Sequence, residues 1–405
     1  MLQAKLNNGK LITLFQYSKM EIEKLRANQQ FFCPTCNEKV IIKAGSKTIA
    51  HFAHRSITDC QSSDGGEGVY HEQGKLLLYR WLQAQGLNAS LEEYIPSIKQ
   101  RPDIFLRIGK KKIAIEYQCA RIPTVNVQSR TKGYLSGGIQ PLWILGANLF
   151  QRIGRNLLKV DHFTLQFLQQ YSRDYLPVMY FFDPHSNIFL TASNLYQTDK
   201  NRMIGILNME KLKQIHFKNI FKISRIQPNL LINEWKKAKY KFRIYHPKRI
   251  YGKEQLWYKW LYYKGTHREQ LPSIIYLPVP SQYRMVTPPW DWQSRICLGI
   301  IDPLPLEGAF SLSTCRYQLQ RSISTESLPL IKSPGDPILE YLMILCSLNL
   351  IQQLSKYQFV KKREIIHYTH MEDALIGDNK LMDEILKNFK TKYEHDSHLI
   401  RYTKY

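Results

Sequence analysis

The sequence has no apolar run long enough to cross a bilayer. Its greasiest stretch, YLMILCSLNLI from Tyr341 to Ile351, falls short of the ~20 residues a membrane helix needs and reads as a core helix. At the amino terminus, MLQAKLNNGKLITLFQ lacks a basic start followed by a sustained apolar run, so no secretory leader and a cytoplasmic location are expected. Acidic residues are scarce: 33 Asp and Glu face 57 Lys and Arg, leaving 57 − 33 = 24 positive charges in surplus. An enzyme of neutral substrates needs no such surplus, and the expected partner is a polyanion. Cysteine is sparse and uneven, with three of seven at Cys33, Cys36 and Cys60. That distribution suits a reducing compartment with one metal site better than a disulfide framework. Repeats and low-complexity tracts are absent too, so domain limits must come from changes of pattern.

What is present is an ordinary globular composition, 44% hydrophobic, in a chain of 405 residues, long enough for two or three domains. The first unit, residues 1–62, opens with a hairpin over NNG and a helix started by a capping box of Ser18 and Glu21. A Gly- and Ser-rich joint, SSDGGEG, closes it. Residues 63–165 alternate helix (EGVYHEQGKLLLYRWLQAQ), strands, helix (TVNVQSRTKGYL) and strand (PLWILG), a mixed α/β pattern. Residues 166–405 begin with a β-hairpin over 176–197 and continue mostly helical, broken by proline clusters.

The stretch RPDIFLRIGKKKIAIEYQC, Arg101 to Cys119, carries the chemistry. With Gly109-Lys110 as a two-residue turn, glycine first as a type II′ turn prefers, facing residues sum to 219. Ile108 then faces Lys111, Leu106 faces Ile113 and Ile104 faces Ile115, so one face is apolar. On the other face Asp103 lies directly against Glu116, with Gln118 two residues on. Like charges so opposed destabilise a sheet. A divalent cation with hard oxygen ligands, Mg²⁺ or Mn²⁺, turns that repulsion into a site. A carboxylate pair on a solvated strand surface is the commonplace alternative. Upstream, Glu67, His71 and Lys75 share one helical stripe by their spacing. Gly74 in mid-helix costs roughly 1 kcal/mol against alanine and implies a close backbone approach.

CPTC at Cys33–Cys36 has zinc-knuckle spacing, and VIIKAGSKTIAHFAH delivers His51 and His54, with Cys60 beyond. Structural Zn²⁺ takes four thiolate or imidazole ligands. Cys33 and Cys36 supply two, and the others come from His51, His54 and Cys60. The same cysteine spacing serves redox pairs, which need no histidines at such distances. In so small a unit a metal would also make up for a small core.

Between Leu230 and Gln270 eleven Lys or Arg and three Glu alternate with ten aromatics, including Trp235, Trp257 and Trp260. Charge and aromatics so mixed suit single-stranded DNA. The candidate contacts are Lys236, Lys237, Lys239, Lys241, Arg243, Lys248 and Arg249. The alternative makes the tryptophans core and the lysines a solvated face.

RPD followed by strand, turn and IAIEYQ, preceded by HEQGK on a helix and followed by helix and strand, resembles the PD-(D/E)XK nuclease core. With FFCPTC and HFAH upstream, the chain resembles the competence protein CoiA family, linked to recombination of incoming DNA during bacterial transformation. That resemblance implies a multidomain α/β (α+β) protein: a small zinc-binding unit, a nuclease-like mixed sheet flanked by helices, and a basic, mostly helical carboxy-terminal region. It implies Mg²⁺ on Asp103 and Glu116 with the Tyr117 carbonyl, and Glu67 or His71 completing the site. The expected reaction is Mg²⁺-dependent cleavage of single-stranded or branched DNA, and a RecA-type recombinase or another competence protein is the expected protein partner. The chain departs from the nuclease pattern at Gln118, where lysine is usual. Lys75 is the candidate substitute cation, and a non-catalytic recombination mediator is the alternative function.

Overall fold

A computed structural model describes residues 1–402 apart from 46–47, 56–67, 172–175, 223–224, 246, 248, 325–327, 329 and 332–333. Cys60, Glu67 and Lys248 lie outside the described residues.

The amino-terminal unit is a five-stranded sheet of order β2-β1-β3-β4-β5. Its strands are β1 (Gln3–Leu6), β2 (Leu11–Thr13), β3 (Phe31–Phe32), β4 (Lys39–Gly45) and β5 (Thr48–His54). Gly9, at φ +79°, closes the first hairpin. Helix α1 (Lys19–Asn28) begins at Ser18, whose side chain accepts from the Glu21 amide while Glu21 reaches back to the Ser18 amide.

The second sheet has nine strands in the order β10-β11-β14-β13-β12-β9-β8-β7-β6. They are β6 (Asn88–Leu91), β7 (Ile104–Ile108), β8 (Lys111–Gln118), β9 (Gln140–Gly146), β10 (Gln151–Gly154), β11 (Leu157–Lys159), β12 (Met179–Asp183), β13 (Ile188–Asp199) and β14 (Arg202–Lys211). Strands β8, β9 and β12 run parallel, and the remaining pairs are antiparallel. Helix α2 (Val69–Gln83) covers one face, where Leu78 and Leu82 join Ile104, Leu106, Ile115 and Tyr117. Helix α3 (Thr124–Ser136) covers the other, where Tyr134 meets Phe105 and Ala114. A short α4 (His162–Leu165) follows β11.

The hairpin expected to open the carboxy-terminal region instead extends this sheet: β12 pairs with β9 through Phe181 opposite Leu145. A boundary at residue 165 therefore runs through one hydrogen-bonded layer. Local alternation reveals that a hairpin exists but not which sheet it joins.

Helices α5 (Pro228–Ile244), α6 (Gly252–Tyr263), α7 (Pro289–Ile296), α8 (Leu312–Gln318), α9 (Pro337–Ser347) and α10 (Met371–Tyr402) make up most of the remainder. A small sheet of β15 (Ala309–Ser311), β16 (Ile351–Ser355) and β17 (Gln358–Lys361) packs among them. Trp235 and Trp257 are core residues here: their indole N–H groups donate to the Tyr276 carbonyl at 2.8 Å and to Ser294 Oγ at 3.0 Å. Two expected DNA contacts are corrected by the same packing. Lys239 and Arg243 are each 2% exposed. Lys239 Nζ donates to the Ser273 and Ile275 carbonyls at 2.9 and 2.6 Å, and Arg243 Nε pairs with Asp378 of α10 at 2.6 Å. They sit four and eight residues after Trp235, so helical period turns them inward with it. Lys236 pairs with Asp383 at 2.7 Å, whereas Lys237, Lys241 and Arg249 are exposed.

Candidate functional site

The β7–β8 hairpin has the register its sequence dictates, with Ile104 opposite Ile115 and Ile108 opposite Lys111. Gly109 takes φ +54° at the turn, as the first position of a type II′ loop requires. Asp103 stands one residue before β7, in a bend, and this changes its outlook. Strict alternation would aim its side chain to the Phe105 face with Glu116. Its carboxylate instead accepts the Tyr117 amide at 2.8 Å and lies 3.4 Å from His71 Nε2 and 3.7 Å from Lys75 Nζ, both on α2.

Glu116 keeps the face its alternation sets and meets α3. Its Oε1 accepts from Arg130 Nη2 at 2.5 Å and from the Tyr134 hydroxyl, which lies one helical turn further on. Arg130 also donates to the Arg101 carbonyl at 3.2 Å, tying the helix to the residue before the RPD proline. Burial, set against the nearby Arg130 and reinforced by the charge of Asp103, pushes the Glu116 carboxyl up to about 7. Burial pulls Arg130 down, but the Glu116 and Tyr134 charges, the hydrogen bond to Glu116 and the Asp103 charge together hold it well above its ordinary value. The two acids thus feel one another across the strands while α2 and α3 supply their counter-charges.

Lys75 has no exposed surface and sits among three carboxylates: Glu92 at 2.5 Å, Glu72 at 3.2 Å and Asp103 at 3.7 Å. Glu92 and Glu72 were not singled out by sequence. Glu72 lay within HEQGK, three residues before Lys75, where an i, i+3 pair was legible. Glu92 gave no local signal: at φ +49°, just past β6, it accepts the Leu2 and Gln3 amides at 2.9 and 3.2 Å. It therefore joins the amino-terminal sheet to the nine-stranded one.

Tyr117 extends the site's apolar side. Its ring stacks on His71 with centroids 5.7 Å apart, and its hydroxyl donates to the Phe182 carbonyl at 3.0 Å. A Cβ on Gly74 would meet Tyr117 Cε1 at 2.1 Å, which is the close approach the mid-helix glycine implied. Gly74→Ala is expected to cost about 1–3 kcal/mol through overpacking, read as a lower denaturation midpoint. Gln118, where lysine is usual, donates to the Ala120 carbonyl at 2.7 Å and brings no charge to the acids.

A second cluster lies in the amino-terminal unit. Cys33 Sγ, Cys36 Sγ and a His54 ring nitrogen all fall within 4.8 Å of one another, with Cys36 Sγ 3.3 Å from His54 Nε2. The register of β4 with β5 sets His54 opposite Val40, four residues past Cys36, which explains the meeting. His51 lies three residues earlier on β5 and so faces the opposite side of the strand. Burial raises the Cys33 thiol, but the Cys36 and Thr35 amides and the charge of Arg101 outweigh it and leave the thiol below its ordinary value. Burial lowers His54, which favours the neutral ring. Soft thiolate and neutral imidazole are donors that suit a metal ion.

Three family models cover most of the chain: competence protein CoiA N-terminal domain over residues 14–63, nuclease-like domain over 67–225 and C-terminal domain over 230–375. The limit of the second agrees with the nine-stranded sheet. Competence protein CoiA of Bacillus subtilis (strain 168) is 27% identical over 369 residues, 89% of this chain and 97% of that protein. No solved structure gives a significant match. With the cysteine and histidine cluster, the mixed sheet and the helical region each falling under its own domain of one family, the chain belongs to the competence protein CoiA family and carries its nuclease-like domain.

Proposed function

We propose that the chain binds DNA and hydrolyses its phosphodiester bonds with a divalent metal ion, Mg²⁺ or Mn²⁺, held between Asp103 and Glu116. The supporting observation is that Asp103, one residue before β7, and Glu116 on β8 lie close enough for the Asp103 charge to raise Glu116. Their oxygen donors fit a hard cation, and Glu116 Oε2 accepts no hydrogen bond among the described residues. The Tyr117 carbonyl is the proposed further ligand and His71 the proposed helix contribution. A bound divalent ion would polarise the scissile phosphate and lower the pKa of its water. The protein's part is to aim two carboxylates, with Lys75 and Arg130 as their counter-ions. Lys75 is fully enclosed by acids, so the exposed side of the site leaves Arg130, 19% exposed, as the cation better placed to face a phosphate where Gln118 brings none.

Purified protein incubated with single-stranded, branched and duplex DNA in Mg²⁺ or Mn²⁺ tests this. Cleavage that Asp103→Ala and Glu116→Ala remove supports the reading. A second reading, a non-catalytic mediator of recombination that retains the fold as a DNA platform, draws on the same residues. Arg130 and Tyr134 already satisfy one Glu116 oxygen, and Gln118 is tied to backbone. DNA binding without cleavage under any metal condition would favour it.

The proposed ligands of a structural Zn²⁺ are Cys33, Cys36 and His54, with the fourth place for Cys60 or water. Element analysis should find about one zinc per chain. Cys36→Ser should lose it and His51→Ala should keep it. Equal loss from both substitutions would overturn this ligand set.

A further inference from the structure

We infer that the cleft between the far edge of the nine-stranded sheet and helices α5 to α7 is a docking site for a single strand of nucleic acid, separate from the Asp103 and Glu116 site. This rests on the reading of DNA as the partner but concerns a surface that the proposed chemistry does not use. The cleft encloses a cavity of about 670 Å³. An adjoining cavity of about 460 Å³ shares the Trp290 and Lys241 walls and carries the groove along α5. Together they offer more room than one nucleotide-sized ligand needs.

Four exposed lysines line it from four elements: Lys159 at the end of β11, Lys200 in the β13–β14 turn, Lys241 on α5 and Lys253 on α6. None forms an ion pair within 4 Å among the described residues, whereas two of the three lining acids are already matched. Asp199 pairs with Arg202 at 2.9 Å and Asp291 with Arg295 at 2.6 Å, leaving Glu254. The unmatched balance is therefore cationic, as phosphate contact requires.

Trp290, at the start of α7, lines both cavities and is half-buried, its ring braced by Phe242 and Tyr276 at centroid distances of 5.0 and 5.1 Å. A fixed aromatic beside a row of ammonium groups provides what single-strand binding uses, a stacking surface next to a backbone track. The cleft draws its walls from both the nuclease-like and the carboxy-terminal domains, so it exists only when they are packed together. From β8 to β11 there are five strand spacings, about 24 Å, so a strand held here leaves the acid pair free.

The experiment is a salt titration of fluorescent oligonucleotide binding by the full chain. Lys159, Lys200, Lys241 and Lys253 are replaced together by Gln, against a control replacing the exposed Lys10, Lys39, Lys213 and Lys218. The cleft variant should lower the slope of log K against log salt by about 2.8, roughly 0.7 per lost phosphate contact, and the control by much less. Trp290→Leu should weaken single-strand binding roughly five- to 150-fold. Trp290→Phe, which keeps a stacking face, should retain most of it and checks that any loss is not misfolding. Equal slopes for the two lysine variants would overturn the cleft while leaving the nuclease reading intact. Cleavage that survives Glu116→Gln would overturn the nuclease reading while leaving the cleft intact.

Discussion

Glu116→Gln is expected to lower divalent-metal-dependent cleavage of DNA by at least ~10³, because a metal ion supplies several kcal/mol of transition-state stabilisation and each 1.4 kcal/mol is tenfold. The amide keeps the hydrogen bond from Tyr134 and nearly the same shape, so the fold should persist. Oligonucleotide binding should be unchanged, which separates lost chemistry from lost docking. Asp103→Asn should have a comparable effect.

The pH profile carries the same signature. Burial holds the folded Glu116 carboxyl at about 7 against an ordinary 4.5, so below neutrality a proton occupies an oxygen the metal would need. Cleavage at limiting metal should therefore rise as pH increases through about 7. Arg130→Gln removes the counter-charge that opposes the burial, and should move that limb to higher pH. Stability follows the opposite course. A folded pKa raised above the unfolded one means the folded chain retains its proton longer, so stability falls as pH rises from about 4.5 to about 7 and then levels off. Glu116→Gln should remove this slope from a series of denaturant titrations.

The second large effect is on stability. Lys75→Met should destabilise the chain by about 3–5 kcal/mol, since it leaves the buried Glu72 and Glu92, and Asp103 beside them, around an apolar side chain. Glu92 also carries the Leu2 and Gln3 amides, so the loss should extend to the seam between the two sheets. Adding Glu92→Gln to Lys75→Met should recover part of the loss by removing one uncompensated charge. If Lys75→Met unfolds at the same denaturant concentration as the unaltered chain, the buried ammonium is not what holds these elements together. If the variant folds and cleaves as before, Lys75 is no substitute for the missing lysine of the motif.

Some of this was readable in the sequence and some was not, for identifiable reasons. The β7–β8 register was legible because a single glycine turn sets one pairing, and period-two alternation then puts Ile104 with Ile115 and Leu106 with Ile113 on the same face. The outlook of Asp103 was not, since alternation has no authority one residue beyond the strand. Lys75 was recognised as part of the site, but its acidic cage was not, because Glu92 arrives from a left-handed turn after β6. Lys239 and Arg243 were misread as solvent-facing from the density of charge around them. The spacing from Trp235 held the correction, as every fourth residue of that helix follows the tryptophan into the core. The cysteine turn was legible from CPTC alone, and the choice of His54 over His51 needed only the strand's two faces. The cleft of lysines was beyond any local reading, because its walls come from residues more than a hundred positions apart.

The most direct measurement is Mn²⁺ binding followed by electron paramagnetic resonance, on the unaltered chain and on Asp103→Asn and Glu116→Gln, after zinc has been accounted for. The account predicts one bound Mn²⁺ per unaltered chain at neutral or higher pH, and its loss from each variant. No bound ion in the unaltered chain, or the same bound signal in all three proteins, would contradict a shared ion between the two strands.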